Sequence, residues 1–295
     1  MTEEINVDLT EEEATSFPEQ NLNPQEQAAQ ERALEMGRTA DEVSGFKVPT
    51  DFVSIPSGGK VYPPNSPLHK VTELEVKFLT AQDEDILTSR SLLRSGKAID
   101  AVLSNCLMDK RINPEELLSG DKNALVTFLR VSGYGPEYSV DMDCPDCNQN
   151  SNYKFDLSQL EMKTLDIDPI TEGQNRFALE LPSGIVVEFK FLNSAEEREI
   201  SDAQEKMKKT TNSPLDKNIT TRLKNLLLSV NGEVDPGYIN QFVDTLNVRD
   251  SRALRKHIGD NTPDVDMEQS FECSYCGHKG EVDIPITVGF FWPDA

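Results

Sequence analysis

The chain has 295 residues, 37% of them hydrophobic, and a formal net charge of -23, a length that allows one large domain or two medium ones. No run of eighteen apolar residues occurs, which excludes a membrane-spanning helix. The acidic excess lacks the basic footprint that phosphate binding needs, so neither membrane nor nucleic acid is the expected main partner.

Residues 1–48 read as a disordered acidic tail. Through Val43 they hold twelve Asp/Glu against two Arg, and such a segment cannot bury enough apolar surface to offset its ordering entropy. The start lacks the basic region and apolar core of a secretory signal, so a cytosolic setting is the expectation. A short helix is expected in NPQEQAAQERALEMG, with Pro24 near its start and Gly37 as its stop.

From Phe52 the texture changes. FVSIPSGGKVYPP carries a Pro-Ser-Gly-Gly turn between apolar flanks, and ELEVKFL alternates like a strand. Apolar residues then recur at helical spacing in AQDEDILTSRSLLRSG, KAIDAVLSNCL and NPEELLSGDKNALVTFLRVSGYG. Gly96, Pro114, Gly120 and Gly133 are expected to break these helices. EYSVDMDCPDCNQNSNYKFDL reads as strand, knuckle, strand. Gly133 to Tyr138, GYGPEY, reads as the turn that links helix to strand.

The second half runs through the same order. FALELPSGIVVEFKFL places a Pro-Ser-Gly turn before an alternating strand. SAEEREISDAQEKMKK reads as a charged helix and ITTRLKNLLLSV as an apolar-striped helix. VDPGYINQFVDTLNVRDSRALRKHI supplies one or two more, and FECSYCGHKGEVDI closes the half with a second knuckle. Ile55-Pro56-Ser57-Gly58 aligns with Leu181-Pro182-Ser183-Gly184, and Val76-Lys77-Phe78-Leu79 with Phe189-Lys190-Phe191-Leu192. Asp121, Ala124, Leu125, Leu129, Cys144 and Cys147 each precede Asp250, Ala253, Leu254, Ile258, Cys273 and Cys276 by 129 positions, without a gap. The expected fold is α+β: a unit of β-hairpin, helices and C-x-x-C knuckle, present twice. Its halves are residues 49–165 and 166–295.

Five cysteines are present: Cys106, Cys144, Cys147, Cys273 and Cys276. An odd count with two C-x-x-C pairs points to metal or redox chemistry rather than to a disulfide framework. Cys106 falls on the apolar side of a helix and reads as a core residue. Neither half has four ligands alone. Together Cys144, Cys147, Cys273 and Cys276 supply four thiolates, the composition of a closed structural Zn2+ site. The gap of about 125 residues between the pairs exceeds that of a standard zinc ribbon, and the internal repeat accounts for it. His278 could compete as a ligand but reads as a surface residue. A thiol oxidoreductase is the rival reading; there the C-x-x-C sits at a helix N-terminus. Here strands flank both pairs, and Asp143, Asp146 and Glu272 are expected to raise the thiol pKa values. A nucleic-acid or transcription-complex zinc ribbon is the other alternative, opposed by the charge. No P-loop, G-x-S-x-G or H-E-x-x-H occurs, and His69 and His257 lack a partnered motif. No catalytic residue, enzyme activity or small-molecule substrate is expected.

IPSGGKVYP, LTAQDEDILTSRSLLRSGKAIDAVLSNCL, LLSGDKNALVTFLRVSGYGPEY and DCPDC, taken as an ordered set, resemble the baseplate hub proteins of T4-type contractile-tailed bacteriophages. The resemblance covers Asp51 to about Leu160 and is looser beyond. It implies a hub subunit or hub-assembly factor, partnered by other baseplate and tail proteins. It also implies a location in the virion tail baseplate, or in the host cytoplasm during assembly. Near the C-terminus, Phe290, Phe291 and Trp292 are expected either to pack on the protein's own core or to dock on a neighbouring subunit.

Overall fold

Alternating apolar residues pair the first two strands of the computed structural model, which describes residues 48–210, 218–284 and 288–291. Strands β1 (Thr50–Ser54) and β2 (Glu73–Lys77) are antiparallel, with Val53 opposite Leu74, and both of these side chains are buried. The N-terminal tail and its helix, read from the sequence, lie outside the described residues, as does Trp292.

Helix α1 (Ala81–Thr88) opens with a capping box. Both the N–H and the hydroxyl of Thr80 donate to Asp83 Oδ2, at 2.9 and 2.6 Å. The stretch expected as one helix is two, because Ser89 adopts extended geometry and divides α1 from α2 (Arg90–Arg94). Ser89 can serve both ends, since its N–H donates to the Ile86 carbonyl while its own carbonyl accepts from the Leu93 N–H. Helix α3 (Ala98–Cys106) and a 3-10 turn (Pro114–Glu116) lead to α4 (Ser119–Tyr134).

Gly120 and Gly133, expected as breaks, both lie inside α4. Their role is close approach. A Cβ on Gly120 would stand 1.9 Å from the Pro263 carbonyl oxygen, and one on Gly133 would stand 2.8 Å from Leu79 Cδ1. The helix ends at Gly135, at φ +84°, and β3 (Glu137–Asp143) and β4 (Asn150–Asp156) form a hairpin of seven opposed pairs.

After the short strand β5 (Met162–Lys163), strands β6 (Phe177–Glu180) and β7 (Val186–Phe189) flank the turn at Gly184, which has φ +82°. Helices α5 (Ser194–Thr210) and α6 (Asn218–Leu226) follow. The segment ITTRLKNLLLSV is not helical throughout: Leu227–Val230 form β8, the third strand of the β6-β7-β8 sheet. Leu227, Ser229 and Val230 are all buried. A strand covered on both faces shows a continuous apolar run, which periodicity cannot separate from a buried helix. The chain continues through α7 (Pro236–Thr245), α8 (Val248–Asn261) and β9 (Asp264–Val265) to the hairpin β10 (Glu268–Glu272) and β11 (Lys279–Asp283).

The described residues from Pro49 onward form one compact unit. Its apolar core runs from Val76, Leu103 and Leu125 to Val187, Phe189 and Leu254. Main-chain pairing ties residues 49–165 to residues 166–295. Met162 and Lys163 pair with Val265 and Asp264, the Ser119 N–H donates to the Leu192 carbonyl, and the Ser194 N–H donates to that of Leu117. Phe290 and Phe291 are buried, the Phe290 ring 5.2 Å from Tyr138. They therefore pack on the protein's own core. The fully buried Arg130 side chain holds them there: its Nε donates to the Phe290 carbonyl at 2.7 Å, and its other nitrogens donate to the carbonyls of Gly135 and Glu137. The link from α4 to β3 through Gly135 and Pro136 is thus packed around a buried guanidinium.

Candidate metal centre

Each cysteine pair occupies the tight turn of a hairpin, the first joining β3 to β4 and the second β10 to β11. The two turns close in the same way. The Cys144 N–H donates to the Gln149 carbonyl at 3.0 Å, and the Cys273 N–H to that of His278 at 2.8 Å. The Asn148 N–H returns to the Cys144 carbonyl at 2.8 Å, and the Gly277 N–H to that of Cys273 at 2.9 Å. Asn148 and Gly277 both sit at positive φ, 54° and 70°, where Gly and Asn are the residues best tolerated.

All four sulfurs lie within 4.8 Å of one another. The close approaches cross between the hairpins, with Cys144 Sγ 3.8 Å from Cys276 Sγ and Cys147 Sγ 3.7 Å from Cys273 Sγ. A disulfide needs about 2.05 Å, and all the cysteines are free. A metal with four bonds of about 2.3 Å to sulfur in a tetrahedron sets the sulfurs about 3.8 Å apart. The spacing fits that geometry. Beside the cluster the hydroxyls of Ser151 and Ser274 meet at 3.3 Å.

Backbone amides aim at the sulfurs. The N–H groups of Cys276 and Tyr275 stabilise a thiolate on Cys273 and lower its pKa to about 6. The expectation that acidic neighbours raise the thiols fails at this residue, because direct N–H donors outweigh more distant carboxylates. Cys276 receives the His278 N–H, yet partial desolvation and the three surrounding sulfurs push it up to about 12. Cys147 receives the Gln149 N–H, against which desolvation and the neighbouring sulfurs Cys273 and Cys144 raise it. One thiolate forms readily and its field opposes the next, so a cation at the centre would let all four ionise together.

The other residues weighed from the sequence stand apart. Cys106 is buried in the core, its thiol pushed up to about 12 by burial and by the nearby Asp83 carboxylate. His278 serves the knuckle through its main chain, and its ring lies 6.0 Å from that of Phe271. The His69 ring contacts the Tyr62 carbonyl at 2.6 Å, and the His257 ring meets Phe189 edge-on at 5.7 Å. Sequence reasoning passed over Tyr153, which sits on β4 and packs against Phe271 across the hairpins at 5.3 Å. The alternation of Tyr153 and Phe155 as inward residues of β4 is the signal that could have found it.

Among the described residues no helix is long and apolar enough to cross a membrane. No curated protein and no solved structure matches the chain. The family described as T4 bacteriophage base plate protein matches residues 50–292, from the first strand through both hairpins. A match over most of the chain places this protein in the T4 bacteriophage base plate protein family.

Proposed function

We propose that the chain is a non-enzymatic structural or assembly subunit of the phage tail baseplate, acting in its hub region. Two copies of one ancestral unit, residues 49–165 and 166–295, are clasped by a single Zn2+ held by Cys144, Cys147, Cys273 and Cys276. The observation that carries this reading is the crossed approach of the four sulfurs, two from each half. Four thiolates leave no open coordination position, so the ion acts on the fold rather than on a substrate. Soft sulfur ligands select zinc or iron among the abundant metals.

Several correspondences support descent of the halves from one unit. Helices α4 and α8, hairpins β3–β4 and β10–β11, and both knuckle hydrogen bonds recur at the offset of 129 residues. Val76 bridges Leu107 in one half, as Phe189 pairs with Leu227 in the other. The partners are other tail proteins, met in the virion or in the host cytoplasm during assembly.

Native mass spectrometry of the chain co-expressed with the other baseplate proteins tests the reading. One zinc per chain, and its retention in complexes with baseplate subunits, is expected. Full baseplate assembly by a Cys144→Ser/Cys273→Ser variant that binds no metal would refute the clasp.

A further inference from the structure

Tyr153 is 92% buried on β4, and it is one of the few buried polar side chains whose hydroxyl makes no hydrogen bond of regular geometry. A buried phenol left in that state is unfavourable, because it has given up water without a full replacement. Two side-chain groups stand beside it, the sulfur of Cys273, toward which the phenol is the donor, and the hydroxyl of Ser151. A neutral thiol is a weak acceptor, whereas a thiolate held by a cation is a charged one, and hydrogen bonds to charged acceptors are about twice as strong. The ring is fixed in place by its edge-on packing against Phe271, two residues before Cys273.

We propose that Tyr153 is a positioning residue of the metal centre, its O–H donating to the metal-bound thiolate of Cys273 across the junction of the two halves. The inference rests on the metal reading given above and adds an asymmetry to it. The offset of 129 that relates the knuckles carries Tyr153 onto Val282, which packs against the core and has no donor to give. Cys273 then receives two backbone N–H groups and a phenol, while Cys144 has no phenol at the corresponding position. A donor on a ligand sulfur draws off charge from the tetrathiolate and orients the ligand.

The test compares full-length wild type and Tyr153→Phe, both loaded with Zn2+ or Co2+. Phe keeps the ring and its packing and removes only the oxygen. Competition against a chelator is expected to show zinc affinity about 10- to 100-fold weaker in Y153F. The sulfur-to-cobalt charge-transfer band is expected to move to lower energy, because the thiolate regains electron density. Equal affinity and an unshifted band in Y153F would overturn the role of Tyr153 and leave the metal site standing. A wild type that binds neither metal would overturn both. Should Y153F fail to fold, 3-fluorotyrosine incorporation replaces it. The more acidic phenol should move the band to higher energy, and an unmoved band counts against the proposal.

Discussion

Ser57 and Asp121 lie 64 positions apart and meet in the core, where the N–H and the hydroxyl of Ser57 donate to the two carboxylate oxygens at 2.8 and 2.6 Å. Tyr62 adds a third donor at 2.6 Å, and its oxygen accepts the Leu118 N–H at 2.9 Å. The network pins the Pro-Ser-Gly-Gly turn to the first turn of α4. In the other half the Ser183 N–H donates to Asp250 at 3.2 Å, pinning the shorter turn to α8. Burial pushes the Asp121 carboxyl above its ordinary range against the pull of its donors. Asp121→Ala strands the Ser57 N–H and the Tyr62 hydroxyl and is expected to cost about 3 kcal/mol. Asp121→Asn keeps an acceptor and should cost less. Urea unfolding of the two variants checks the order.

The two glycines of α4 should separate under substitution. At Gly120 the added methyl meets the Pro263 carbonyl and Asp264 Cα, main-chain atoms that cannot step aside. Gly120→Ala is expected to destabilise by about 2 kcal/mol or more. At Gly133 the obstacle is the tip of the Leu79 side chain. A small rotamer change there offsets against a helix-propensity gain of about 1 kcal/mol, so Gly133→Ala should be close to neutral. Thermal melts of the pair decide.

Asp83 gives a pH dependence with a definite sign. Burial alone would raise its pKa, but the hydroxyl and N–H of Thr80, the Asn105 amide and Lys77 lower it below the ordinary value. An acid with a depressed folded pKa contributes stability above its unfolded value, near 4. That contribution is lost as pH falls through the folded value. Asp83→Asn should therefore lose about 1 kcal/mol at pH 7. Its gap from wild type should close on acidification below about pH 4. A gap that stays constant from pH 7 to pH 3 would show that the carboxylate charge contributes nothing.

Arg130 spends its guanidinium on main-chain carbonyls of Phe290, Gly135 and Glu137. Arg130→Met fills similar volume and leaves these acceptors without that donor. The expected cost is about 3 kcal/mol, with faster hydrogen exchange across residues 288–291 than at the β1–β2 hairpin. Equal exchange at the two places would mean that the C-terminal segment is held by its aromatic packing alone.

Metal removal should act on the whole compact unit, because the four sulfurs come from hairpins in both halves. Chelation is expected to lower the melting temperature by several degrees, since metal binding energy becomes folding energy. Added Zn2+ should restore it, and Cys144→Ser should mimic chelation. Cys106→Ser, a core change away from the cluster, should leave metal content at the wild-type value, as mass spectrometry of the intact chain would report.

The two knuckles, their flanking strands, the helical segments between them and the buried position of Cys106 were all legible in the residues, because each depends on turn chemistry and short-range periodicity. The limits of that legibility fall at specific places. Leu227–Val230 read as helix because a strand covered on both faces has no polar stripe. Gly120 read as a break because its reason for being glycine, Pro263, stands 143 positions later in the chain. Ser89 divided a helix whose apolar rhythm runs on past it.

By itself the sequence determined that two C-x-x-C turns exist, that each lies between strands, and that four thiolates are available in an acidic chain. Only the tertiary structure decided that Cys144 faces Cys276, that Cys147 faces Cys273, and that the Tyr153 hydroxyl lies beside one of these sulfurs. The physical reason is range. Local rules act over a few residues, whereas the meeting of sulfurs 126 and 132 positions apart is fixed by how the halves pack, through the shared core and the strand pairing of Met162 and Lys163 with Val265 and Asp264.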